Sequence, residues 1–396
     1  MKTFATATAT AALLCGASFA QAEDIKLGVV LGFTGPLETL AGPMADGAEL
    51  AIAEVSGSGL LLGGSTVSAV RGDSTCVDAA AATATAERLV TSEGVSAIMG
   101  AMCSGATGAI LSNVAVPNGI VMISPSATSP GLSTVEDNGL FFRTAPSDAR
   151  QGVVMADIIM ERGLSSVAVT YTNNDYGKGL ADSFQAAFDA AGGTVTLSSP
   201  HEDGKADYSA EIGALAAAGG DALVVAGYVD EGGSGMVQAA LDTGAFDMFV
   251  FPDGMVGAAL TENFGSDIDG SFGQNPGSNS DGAAMYEEMA AAAGVNGESV
   301  YSKEAYDAAA LILLAMQAAG SSNSNDLKEH IMAVANAPGE KILPGNLSQA
   351  LEILAAGGDI DYVGASAVEL IEPGEASGVY QEVEIDGGEL KTVGFR

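Results

Sequence analysis

The stretch GAMCSGATG (100–108) sets Cys103 among glycines, alanines and a serine, directly after the apolar run VSAIM. A cysteine so placed can act as a nucleophile, as a metal ligand or as half of a disulfide. The first two uses need partners: a base beside the thiol, or three to four His, Cys or carboxylate ligands around a metal. The chain has only two histidines, His201 and His330, in polar and helical surroundings that read as surface. Neither G-x-x-x-x-G-K-[ST] nor G-x-S-x-G occurs. DIDG (267–270) lacks the other ligands of a calcium loop and reads as a solvated turn. The sequence therefore points to no catalytic residue, no metal and no cofactor, and a hydrolase reading lacks its base–nucleophile pair. Of the three cysteines, Cys15 falls in an apolar N-terminal segment, which leaves Cys76 and Cys103. In an exported chain two cysteines usually pair. Closing the 27 positions from 76 to 103 would be worth roughly 2–4 kcal/mol.

A second pattern carries more. Small polar residues, a tyrosine and a carboxylate stand where apolar runs end: Thr34 after IKLGVVL, Ser104 after VSAIMG, Ser126, Ala127 and Thr128 after GIVMIS, Tyr228 after DALVVAG, and Asp253 after MFVF. These types suit a zwitterion. If Ser104 opens a helix, free N–H groups and the positive end of the helix dipole favour an anion there. The Thr128 hydroxyl can add to that, and Asp253 can accept hydrogen bonds from an ammonium. The plainer readings are that Ser104 only caps its own helix and that Asp253 caps the next one. Convergence of all these positions on one crevice favours a binding site.

The elements that must position them alternate. Strands are read at 25–31, 66–73, 95–100 and 119–124, with helices at 45–55, 78–94 and 104–115 between and after them. The series repeats with strands at 166–171, 194–197, 221–228 and 248–253 and helices at 176–192 and 208–219. Nearly continuous apolar strands alternating with amphipathic helices mean parallel sheets covered on both faces. In such sheets the ligand crevice lies at the carboxyl ends of the strands. The break at FFRTAPSD (141–148) divides two α/β lobes. Helices return at 281–294 and 303–320. PGEKILPGN (338–346) reads as a loop, and the C-terminal segment alternates apolar and polar residues around Pro-Gly and Gly-Gly, as antiparallel strands do.

Composition narrows the class. Hydrophobic residues make up 47% of the 396 positions, enough for a sizeable core. Fourteen Lys and Arg face fifty Asp and Glu, a net charge of −36 that repels nucleic acid and anionic membrane surfaces. Residues 1–22 read as a secretory signal: Lys2, the apolar AALLCGASF, then Ala20-Gln21-Ala22 as the cleavage site. Leu14 before Cys15 does not suit a lipoprotein signal. No later run reaches 18 uninterrupted apolar residues, so an exported, soluble periplasmic protein is expected.

Together these stretches resemble a family. EDIKLGVVLGFTGP, GDSTC followed by GAMCSGAT, ISPSATSPGL, NNDYGKG and AGYVDEG occur in the order found in the periplasmic solute-binding proteins of ABC importers, type I fold, in the branched-chain amino acid group. The resemblance spans essentially the mature chain. It implies an α/β protein of two lobes, each a mostly parallel sheet flanked by helices. Three crossings join them near Pro146, Pro276 and Gly378. One lobe takes 23–145 and 277–377, and the other 146–276 and 378–396. It implies a disulfide between Cys76 and Cys103, and a ligand carboxylate held by Ser104 and by the Ser126-Ala127-Thr128 stretch, with Met102 and Cys103 supplying backbone and packing. Asp253 takes the place of the family's ammonium-binding acid, where Glu is common. Tyr176, Tyr228 and Tyr306 correspond to its aromatics, and Leu40 stands where an aromatic is frequent. The implied partners are an amino acid and the membrane subunits of an ABC permease, with a monomer expected. An amide, urea, a short carboxylate or an aromatic acid is the alternative ligand, and a ligand sensor the alternative role.

Overall fold

A computed structural model describes residues 22–396. The expected signal segment, including Cys15, lies outside the described residues except for Ala22.

Two seven-stranded sheets carry the fold. The first holds β1 (Asp24–Leu31), β2 (Thr66–Asp73), β3 (Ala97–Gly100), β4 (Met122–Ser124) and β5 (Phe141–Pro146). The second holds β6 (Ser166–Thr172), β7 (Thr194–His201), β8 (Ala222–Ala226), β9 (Phe249–Phe251) and β10 (Phe272–Pro276). Within each set of five the strands are parallel, in the orders β5-β4-β3-β1-β2 and β10-β9-β8-β6-β7. The order reverses beside β1 and β6, the feature that opens a crevice at the strand carboxyl ends. β3, β8 and β9 are buried along their whole length, as their unbroken apolar sequences require.

Three sequence features place the helices that matter here. Helix α1 (Glu38–Ser58) buries Leu40, Met44, Ala48, Ala51, Ile52 and Val55 along one stripe, and α2 (Ala79–Arg88) is capped by Asp78, whose side chain accepts from Ala80 and Ala81 N–H. Helices α3 (Ser104–Ile110), α4 (Asp148–Glu161) and α5 (Asp175–Ala190) each follow a strand and start at the crevice. α6 (Asp281–Ala293) and α7 (Ser302–Ala319) return to the first lobe. α7 is buried from Glu304 to Gln317, so it is apolar nearly all round and packs mainly against α1.

The C-terminal alternation forms the antiparallel strands it suggests. β11 (Glu340–Ile342) pairs with β12 (Ile360–Tyr362) in a small parallel sheet, so the stretch read as a loop at 338–346 contains a short strand. β13 (Leu370–Ile371) and β14 (Glu375–Ala376) then extend the first sheet beside β5. β15 (Tyr380–Asp386) and β16 (Glu389–Phe395) extend the second beside β10.

The chain passes between the sheets after Pro146, after Pro276 and between Ala376 and Tyr380. The three passages touch. Gly277 N–H donates to Val379 C=O at 3.0 Å. Gly378 has φ +87, and a Cβ there would stand 2.6 Å from Pro146 Cβ, so only glycine lets the third passage lie against the first.

His201, read from sequence as a surface residue, is buried at the end of β7. Its Nδ1 lies 2.8 Å from Thr170 Oγ1, and burial lowers its pKa to about 4.

Candidate functional site

On the first lobe, the loop from β3 to α3 is tied from several sides. Cys103 is disulfide-bonded to Cys76, with Cα atoms 5.1 Å apart. Cys76 follows β2, and a Cβ on Gly32 would stand 2.8 Å from its sulfur, so the loops after β1, β2 and β3 converge. Ser104, 2% exposed, accepts from Ser129 N–H at 3.1 Å. Its own hydroxyl hydrogen meets no acceptor among the described residues. The N-cap of α3 is Cys103, so Ser104 does not cap its own helix. The Ser126 hydroxyl donates to Met102 C=O at 2.8 Å. Arg143, the lone cation in the apolar strand β5, is buried and donates to Ala127 C=O at 2.9 Å, to Ser129 C=O at 3.0 Å and to Glu375 at 2.5 Å. It thereby fixes the 127–133 loop.

Asp253 follows β9 on the second lobe and is 3% exposed. Tyr176 Oη donates to its Oδ1 at 2.9 Å, and Tyr301 Oη, from the first lobe, donates to its Oδ2 at 2.5 Å. Each carboxylate oxygen keeps a second lone pair. Tyr228 stacks on Tyr176 with ring centres 5.3 Å apart. A Cβ on Gly254 would stand 2.8 Å from Tyr176 Oη, so a glycine is what admits the tyrosine. The next helix begins after Gly257, so Asp253 caps nothing. Burial pushes the Asp253 carboxyl above its ordinary range, while the Tyr301 and Tyr176 hydroxyls pull it back down.

A second carboxyl stands behind it. Asp148, at the start of α4, is fully buried, and neither of its oxygens has a hydrogen-bond partner among the described residues. Gln151, on the same helix, leaves both amide atoms unpartnered. Burial first, and the nearby Asp253 second, raise the Asp148 carboxyl well above the ordinary range. The folded protein thus holds a proton that the unfolded chain releases, and stability falls as pH rises from about 4 through the folded value. Replacing Asp148 with Asn removes that term. Thermal melts from pH 5 to pH 8 should show the wild type losing stability relative to Asp148→Asn; parallel curves would contradict the assignment.

Between these groups lies a cavity lined by Leu37, Leu40, Met102, Cys103, Ser104 and Ser126 from the first lobe, by Tyr176, Tyr228, Asp253 and Gly254 from the second, and by Tyr301. It measures about 20 Å³. At the mouth Thr39 N–H and Oγ1 donate to Asp230 across the lobes at 3.0 and 2.8 Å, and Asp230 N–H donates to Pro36 C=O at 3.2 Å.

A periplasmic binding protein family pattern matches residues 24–340. The chain belongs to the periplasmic binding protein family. Among its relatives, Leu/Ile/Val-binding protein homolog 1 of Brucella melitensis is 31% identical over 353 residues, 88% of this chain and 91% of that one. The Leu/Ile/Val-binding protein of Escherichia coli is 30% identical over 258 residues, 65% of this chain and 69% of that one. The fold matches a leucine binding protein, LivK, of Thermotoga maritima with TM-score 0.79 at 22% identity, covering 94% and 98% of the two chains. It also matches a solute binding protein of an R. palustris ABC transporter, in complex with benzoate, with TM-score 0.76 at 17% identity, covering 94% and 96%. As in the family, each lobe is a mostly parallel sheet flanked by helices, and family members bind substrates for transport.

In this periplasmic binding protein eight of the sequence-expected residues meet at the cavity: Leu40, Met102, Cys103, Ser104, Ser126, Tyr176, Tyr228 and Asp253. Three do not. Ala127 has its N–H and C=O bound to Ser124 Oγ and Arg143, and Thr128 lies on the Asp148 side with its hydroxyl unpartnered. Tyr306 lies inside the first lobe, and its hydroxyl donates to Glu54 at 2.6 Å. Tyr301, at φ +65 just before α7, lines the cavity. Sequence reasoning also missed Asp148, Gln151 and Arg143. A lone Arg within FFRTAP was the available signal for the last.

Proposed function

We propose that this protein binds an α-amino acid with an aliphatic or related side chain between its lobes and delivers it to the membrane subunits of an ABC importer. The observation that carries this is Asp253. It is a buried carboxylate with spare lone pairs, opposite a serine hydroxyl with a spare hydrogen, and so offers an ammonium acceptor and a carboxylate donor across one cavity. The hydroxyl of Ser104 and the backbone N–H groups after it would hold the carboxylate. Tyr176, Tyr228, Leu40 and Tyr301 would enclose the rest. The two lobes, 23–145 with 277–377 and 146–276 with 378–396, would close on the ligand about the three touching passages, and the closed form would dock on the permease. Export with cleavage after Ala22, and action as a monomer without enzymatic activity, belong to the same reading.

A second reading draws on Leu40 and the tyrosine-lined walls. An aromatic acid would place its carboxylate at Ser104 and its ring against Tyr176 and Tyr228, and the R. palustris neighbour was crystallised with benzoate. A thermal-shift screen of the mature chain against amino acids, their amides, urea and benzoates separates the two. A ligand at a hundred times its Kd should add about 2.7 kcal/mol of stability. Stabilisation by leucine, isoleucine or valine supports the first reading. Stabilisation by benzoates alone replaces it.

A further inference from the structure

Leu40 and Tyr301 have a second face. Behind them lies a much larger cavity, about 720 Å³, bounded by α6, the loop leading to α7, the end of β10 and the β15–β16 hairpin. Two polar side chains are built into its lining. Glu304 is 3% exposed; its carboxylate accepts from its own backbone N–H and has no side-chain partner among the described residues. Asn275, 5% exposed, spends its Nδ2 on Pro276 C=O at 2.7 Å and leaves Oδ1 without a partner. The Asn275 oxygen is thus a buried acceptor left unpaired, which is costly, and folded proteins satisfy such a group with a donor. The only cation in the lining, Lys303, is already engaged, with Glu287 at 2.7 Å and Gly297 C=O at 3.2 Å. The β15–β16 hairpin adds Leu390 and the exposed Phe395 to the lining, beside Gln381 and Thr392.

We propose that this groove is a second ligand site, for a small organic cation whose ammonium or guanidinium end is held by the acceptors of Glu304 and Asn275 and whose apolar body lies on Leu390 and Phe395. Carboxylates outnumber the single lysine in the lining, which selects against anions. Burial raises the Glu304 carboxyl to about 7, so a cation there also stabilises its ionised form. The groove is distinct from the amino acid cavity but shares a wall with it, and it touches the second interlobe passage at Pro276. An occupant would therefore be coupled to lobe closure.

Calorimetric titration of the mature chain with phenethylammonium, and with 2-phenylethanol as its neutral counterpart, tests this. The amine should bind saturably at one site and the alcohol at least about tenfold more weakly, as loss of a charge-assisted contact requires. Glu304→Gln should weaken the amine by a similar factor. Ala284→Trp alters an exposed α6 residue that lines the groove, so it should block the amine while leaving the melting temperature and leucine titrations as in the wild type. No saturable heat from the amine, equal binding of amine and alcohol, or unchanged amine binding by Ala284→Trp would overturn the site.

Discussion

Asp253→Asn weakens the binding of an α-amino acid by more than about tenfold, the equivalent of about 1.5 kcal/mol for one charge-assisted hydrogen bond in a dry site. The size follows from the surroundings. Asp253 is buried, and two tyrosine hydroxyls already donate to it, so its role toward a ligand is as an acceptor of further donors. An asparagine keeps the volume but removes the charge, and its amide nitrogen would face the ammonium as a second donor. Folding should survive, because a buried charge is exchanged for a neutral group of the same shape. Calorimetric titration of both proteins with leucine reads the effect. Affinity within a factor of two of the wild type would remove Asp253 from the ammonium site.

The second large effect concerns the Cys76–Cys103 bridge. Loop closure over 27 positions predicts that Cys76→Ser/Cys103→Ser loses about 3.5 kcal/mol of stability. Denaturant midpoints measure that term. The bridge also anchors the residue immediately before Ser104, on a loop otherwise held by hydrogen bonds from Ser126 and Ser129. Ligand affinity should therefore fall as well in the folded double variant. If it binds as tightly as the oxidised wild type, the bridge stabilises the fold and does nothing for the site.

The alternation of apolar runs and amphipathic helices made four parallel strands of each sheet legible, whereas β5, in the stretch read as the break between lobes, and β10 went unread because Arg143 and the Gln-Asn pair interrupt their apolar runs. The C-terminal hairpin was equally plain from its Gly-Gly turn. The strand at 340–342 was hidden because a three-residue strand between Pro-Gly turns carries no periodicity. Residues at strand ends on the crevice were found for the same reason as the strands: their position follows from the topology. Tyr306 misled because an aromatic in a helix is visible in the sequence, whereas its inward direction depends on packing against Glu54 and Tyr286. Tyr301 sits one residue before that helix in a left-handed conformation, which turns its ring toward Asp253, and nothing in local propensity predicts this. Asp148 lies at the end of the stretch read only as the break between lobes. Its burial depends on the second lobe, α4 and the 128 loop meeting, a tertiary fact.

The most direct test of the central claim, a cleft that reads both ends of an α-amino acid, is calorimetric titration of the wild-type mature chain with leucine and with 4-methylpentanoate, which lacks only the amino group. The account predicts one saturable leucine site per chain and binding of the des-amino acid at least about tenfold weaker, the loss expected for the ammonium–Asp253 contact. Equal binding of the two acids, or binding of the des-amino acid with no heat from leucine, would contradict it.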